Sequence, residues 1–163
     1  MPSYLERVEA SQAKTKKICA WFADYGYPVE YIPPVRLPNG ELDPYYRDAG
    51  DIKLWLDGGE LAYIEVKGLS RPFSDVIWPP SFRHRETGQR HIFCNRSNII
   101  DGGKLAYLYA SVDCTMTWVV IVCRASRSAW YRYTEDRPEG REYYACPMIY
   151  AAIKRIGHED PGV

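Results

Sequence analysis

The sequence predicts an α+β (mixed α/β) fold in one domain over residues 1–163, on three observations. Ser3 and Glu6 form an S-x-x-E capping signature ahead of a stretch with helical periodicity. Two apolar-rich runs flank Gly58-Gly59 in GDIKLWLDGGELAYIEVKG, residues 50–68, and read as a hairpin. The run WVVIVC, Trp118–Cys123, is apolar almost throughout and reads as a central strand. A chain of 163 residues, 46% hydrophobic and 26% charged, fits a single globular core.

Each element follows from local chemistry. Leu5, Val8, Ile18, Phe22 and Tyr25 recur on one helical face; Gly26 ends that helix and Pro28 prevents a restart. Residues 29–35 read as a first strand, with Pro33 and Pro34 ending it at a sheet edge. Residues 36–50 read as loop, with turn signals at Pro38-Asn39-Gly40 and Asp43-Pro44. After the hairpin, residues 69–103 read as a long irregular segment broken by Pro72, Pro79 and Pro80, in which aromatics interleave with arginines. Residues 105–111 and 117–123 read as strands, and 130–134 as a short edge strand. Met148, Ala152 and Ile156 lie four apart, so 143–156 reads as a final helix.

The faces of the hairpin set its register. A two-residue loop, Gly58-Gly59, mixes apolar and charged residues on both faces. A three-residue loop, Asp57-Gly58-Gly59, pairs Ile52 with Ile64 and Leu54 with Ala62. One face then carries Ile52, Leu54, Leu56, Ala62, Ile64 and Val66. The other carries Asp51, Lys53, Trp55, Leu61, Tyr63, Glu65 and Lys67, and points away from the core. This register sets Asp51 opposite Glu65, at roughly 5 Å between Cβ atoms. Two carboxylates so close repel unless a cation lies between them, and a divalent ion is the usual remedy. The competing reading is a solvated strand end, with Lys67 paired to a carboxylate.

Charge and cysteine content narrow the alternatives. Net charge is zero, so no global field advertises nucleic acid. Locally, residues 71–96 hold Arg71, Arg83, Arg85, Arg90 and Arg96 against Asp75 and Glu86, whereas residues 1–70 hold eight Lys and Arg against eleven Asp and Glu. This asymmetry reads either as a solvated loop beside an acidic surface or as an acidic pocket with a basic rim. Five cysteines without a CxxC pair argue against a disulfide framework. His84, His91 and Cys94 match no familiar zinc spacing. No apolar run approaches the ~18 residues of a membrane span, and the N-terminal stretch mixes both charge signs unlike a signal peptide. A cytoplasmic location is the expectation.

With Asp51 heading one strand and Glu65-Val66-Lys67 on the next, the hairpin resembles the PD-(D/E)XK nuclease superfamily, which includes restriction enzymes and phage-type Holliday junction resolvases. The preceding helix and first strand, residues 4–35, and later strands with a helix extend the resemblance over residues 4–125. It implies a restriction-endonuclease-like central mixed sheet flanked by an N-terminal and a C-terminal helix. It further implies Mg²⁺, replaceable by Mn²⁺, held by Asp51, Glu65 and the Val66 carbonyl, with Lys67 as catalytic lysine. Glu9 of the first helix, or alternatively Glu6, would add an acid. The implied activity is metal-dependent endonucleolytic hydrolysis of DNA, branched or repair intermediates included. Arg71, Arg83, His84, Arg85 and Arg90 would position the backbone; Trp78 or Phe82 would either stack on a base or pack the loop. Paired cuts imply a homodimer, and the resemblance implies a bacterial or phage-infected cell. Two departures stand out: Gly50 replaces the proline, and a Pro-broken 69–89 replaces the regular helix after the lysine strand. The alternative is a catalytically silent nuclease-like protein that binds nucleic acid or a protein partner.

Overall fold

The computed structural model describes residues 3–41 and 51–157. Helix α1, Tyr4–Asp24, opens on the predicted box: the Ser3 hydroxyl accepts the Glu6 N–H, and the Glu6 carboxylate accepts the Ser3 N–H at 2.6 Å. Gly26, at φ +85°, takes the left-handed conformation just past its end. Strands β1 (Val29–Tyr31), β2 (Ile52–Trp55) and β3 (Leu61–Gly68) follow as an antiparallel meander. The turn expected at Asp43-Pro44 lies outside the described residues.

The hairpin adopts the three-residue loop. Ile52 pairs with Ile64 and Leu54 with Ala62, and the Leu56 N–H reaches the Glu60 carbonyl at 2.8 Å. Gly58 and Gly59 sit at φ +89° and +85°, a region that costs a side-chain-bearing residue energy. The apolar set that selected this register is buried as predicted: Ile52 and Ile64 are 0% exposed and pack with Ile18 and Phe22 of α1. Ile64→Ala is therefore expected to lower unfolding free energy by about 2–5 kcal/mol, read from urea midpoints at unchanged slope.

From β3 the chain crosses to β5 (Leu108–Val112), which lies parallel to it; β6 (Trp118–Cys123) and β9 (Ala152–Arg155) complete a six-stranded sheet in the order β1-β2-β3-β5-β6-β9. A parallel pair requires a long crossover, and residues 69–107 supply it. They are not irregular throughout, as the prolines led us to expect. They contain β4 (His91–Arg96) and the short helix α2 (Ser97–Asp101). Strand β4 joins β8 (Glu142–Pro147) and β7 (Tyr131–Thr134) in a second antiparallel sheet, ordered β4-β8-β7.

The mixed α+β class holds, but the expected C-terminal helix does not form. Residues 143–156 comprise most of β8, a 3₁₀ turn at Met148–Tyr150, and β9. Pro147 cannot donate to a helical ladder, and the aromatic and thiol side chains of Tyr143, Tyr144 and Cys146 are buried on a sheet. The second face of the hairpin also differs from expectation. Glu65 pairs with Tyr109 and Lys67 with Ser111, and Tyr109 belongs to a second core with Phe73, Trp78, Phe82, Val120, Val122 and Tyr144. The main sheet is thus covered by α1 on one side, and on the other the crossover and second sheet cover β5, β6 and the Lys67 end of β3, while Leu61 stays exposed.

Candidate functional site

Lys67 follows from this layering. Its strand position aims it at the second sheet, where its ammonium lies 4.4 Å from the centre of the Tyr143 ring. Burial lowers its pKa, against the opposing pull of the Glu135 carboxylate. A desolvated ammonium gains more from an anion than an exposed one does. Around it opens a cleft of about 520 Å³ lined by Gly68, Arg71, Arg83, Arg85, Phe93, Tyr133, Glu135 and Arg137, among others. Arg85 is fixed there: its guanidinium lies 4.5 Å from the centre of the Tyr133 ring and donates to the Thr134 carbonyl at 3.0 Å. Lys67, Arg71, Arg83, Arg85 and Arg137 outnumber Glu135 and Asp136, so the cleft favours a polyanion.

Of the basic residues expected to contact a nucleic-acid backbone, Arg71, Arg83 and Arg85 line this cleft. His84 lies between them in sequence but turns to a structural task. Its Nδ1 accepts the Glu86 and Thr87 N–H groups, and its ring packs on Tyr131 and Tyr133. Arg90 faces a separate groove, where it lies against Trp78 and donates to the Asp75 carbonyl. Trp78 and Phe82 are core residues, 6% and 9% exposed, and the Trp78 indole donates to the Phe82 carbonyl at 2.9 Å. Packing, not stacking on a ligand, occupies both rings.

The carboxylates take divergent positions. The hairpin register holds through Ile52 and then shifts by one residue, because the Asp51 N–H donates to the Ile64 carbonyl at 3.0 Å. Asp51 and Ile52 thus both lie against Ile64, a bulge that re-aims the first side chain. The Asp51 carboxylate accepts the Val66 N–H at 2.8 Å and lines a small pocket with Ser11, Gln12 and Tyr31 on the α1 side. Its charge, after burial, helps to raise the Tyr31 pKa. Glu65 points to the opposite face, 3.8 Å from the Lys104 ammonium. It also adds, after burial and Cys94, to the upward shift of the Tyr109 phenol to about 12.

Glu9 is exposed and does not line the Asp51 pocket, and Glu6 is engaged in the helix cap. Hard oxygen donors of the kind Mg²⁺ prefers are present, but Asp51 and Glu65 stand on two sides of β3. Among the described residues no group of three or more Asp, Glu, His or Cys is placed to hold a metal. In this arrangement the donors do not form one coordination sphere.

Tyr133, Tyr143 and Arg137 were not legible as site residues. Their place depends on the pairing of β7 and β8, which juxtaposes Tyr133 with Tyr143 across strands distant from Lys67 in sequence. Among the described residues no helix is long and apolar enough to cross a membrane. No protein-family model and no curated protein matches this chain. Among solved structures, it is similar to a bacterial homing endonuclease at 11% identity and a TM-score of 0.39, over 94% of this chain and 79% of the other.

Proposed function

We propose that this protein is a nuclease that draws a DNA phosphodiester backbone into the Lys67 cleft and hydrolyses it. One observation carries the reading: the lysine of Glu65-Val66-Lys67 is half-buried in a cleft that also presents Arg71, Arg83 and Arg85. In hydrolysis, water adds to phosphorus and the bond to the leaving oxygen breaks. Negative charge grows on the phosphoryl and leaving oxygens. A preorganised ammonium at that position stabilises charge as it develops, while the arginines hold the flanking phosphates. Dependence on Mg²⁺ or Mn²⁺ and pairing of two copies belong to the proposal through the resemblance of the hairpin. Because Asp51 and Glu65 occupy different faces, no step is assigned to a metal.

A second reading, binding without turnover, is favoured by that same separation of carboxylates. One experiment distinguishes them. Single-stranded, duplex and branched DNA, and RNA, are incubated with the protein in Mg²⁺, Mn²⁺ or EDTA, with binding measured in parallel across a salt series. The expected result is DNA cleavage in Mg²⁺ that EDTA abolishes, with affinity falling as salt rises. Salt-dependent DNA binding without cleavage in any condition selects the second reading, and absence of both removes the nucleic-acid reading.

A further inference from the structure

Gly68, the last residue of β3, lines the cleft beside Lys67. Its φ lies outside the left-handed region, so its backbone does not demand glycine; what a side chain there would meet is the movable end of one lysine. A Cβ at this position would fall 2.7 Å from Cδ and 2.8 Å from Nζ of Lys14. The side chain of Lys14, on α1, therefore lies directly over the end of β3, where a Cβ at position 68 would push it aside. Lys14 approaches from the α1 side, whereas Lys67 projects from the neighbouring position toward the second sheet. Among the described residues the Lys14 ammonium has no hydrogen bond or ion pair.

Resting on the nucleic-acid reading above, we infer that Lys14 is a second backbone-binding cation, and that a strand held by Lys67 crosses the end of β3 to reach it. Two ammonium groups straddling one strand terminus, with Arg71 three residues beyond, give a polyanion a continuous path from the cleft to α1. A lysine stem that merely covers the strand end would need its methylenes and not its charge. The two roles therefore separate experimentally.

The 163-residue chain is titrated with a fluorescent single-stranded DNA and with the matching duplex between about 50 and 200 mM salt, as wild type, Lys14→Met, Gly68→Ala and the double variant. Lys14→Met keeps the apolar stem and removes the charge. Gly68→Ala keeps the charge and displaces its position, at small cost because a flexible side-chain end yields. Lys14→Met is expected to weaken binding roughly three- to tenfold and to flatten the log–log salt slope by about 0.7–0.9. Gly68→Ala should act in the same direction, and the double variant should bind no worse than the weaker single. Lys16→Met, on the same helix and exposed, controls for net charge.

An equal loss in Lys16→Met overturns the assignment, as does wild-type binding by Lys14→Met while Arg71→Ala binds poorly. In both cases the nucleic-acid reading survives. If Arg71→Ala and Lys67→Ala also bind as wild type does, that reading fails and takes the Lys14 path with it. Should Gly68→Ala lose its thermal transition, Lys14→Met against Lys16→Met decides alone.

Discussion

Replacing Lys67 with alanine is expected to slow cleavage of a DNA substrate by about 10²–10³-fold under single-turnover conditions, with the fold intact. The side chain is half-buried at the cleft and contributes a cation–π contact to Tyr143, so its loss removes little core packing. Binding should weaken far less than cleavage, because in the proposed function Arg71, Arg83 and Arg85 of the cleft would still hold the backbone. That difference between a large rate loss and a small affinity loss marks a group whose contact strengthens as charge develops. Lys67→Arg should recover binding better than rate, since a planar fork does not reproduce a compact ammonium. Burial lowers the lysine pKa, so activity should lose its protonated lysine at a pH below the ordinary 10.5. Cleavage by Lys67→Ala at the wild-type rate would remove the lysine from the chemistry.

The second large effect is on stability and lies at His91. This imidazole is 0% exposed and packs against Phe93, Tyr131 and Tyr133. Its Nδ1 is hydrogen-bonded to the Tyr131 hydroxyl, and its Nε2 has no hydrogen-bond partner among the described residues. Burial, reinforced by His84 and Arg85, holds its pKa at about 4 instead of 6.5. The unfolded chain therefore takes up a proton at higher pH than the native one. The stabilisation from keeping the imidazole neutral is complete above pH 6.5. It is lost progressively as pH falls toward 4, and it is flat below that. The loss integrates to an upper value of about 3 kcal/mol. Urea midpoints measured from pH 7.5 to 4 should show this fall in wild type, and His91→Phe should lack it. Parallel curves for the two proteins would assign the acid sensitivity to other groups.

The hairpin shows how far local rules reach. Its apolar alternation selected a three-residue loop, and burial of Ile52 and Ile64 against α1 follows from that choice. The alternation could not reveal the one-residue shift at Asp51. That shift depends on where the neighbouring N–H groups of Asp51 and Val66 find acceptors. The four-residue spacing of Met148, Ala152 and Ile156 likewise fitted a helix until long-range pairing intervened. Residues 142–147 are strand because β4 and β7 flank them on either side.

By itself the sequence determined α1 with its Ser3–Glu6 cap, the β2–β3 hairpin and its register from Ile52 to the loop, and the apolar centre of β6. These elements are specified by hydrogen bonds, turn conformations and side-chain periodicities within a few residues of one another. Only the tertiary structure decided that the Lys67 end of the hairpin's charged face lies against the second sheet, that Asp51 and Glu65 part to opposite sides of β3, and that Lys67 opens beside Arg71, Arg83 and Arg85. The physical reason is that these relations come from strand pairing and layer packing across long sequence separations. There the preference of each residue is outweighed by the apolar surface that the whole arrangement removes from water.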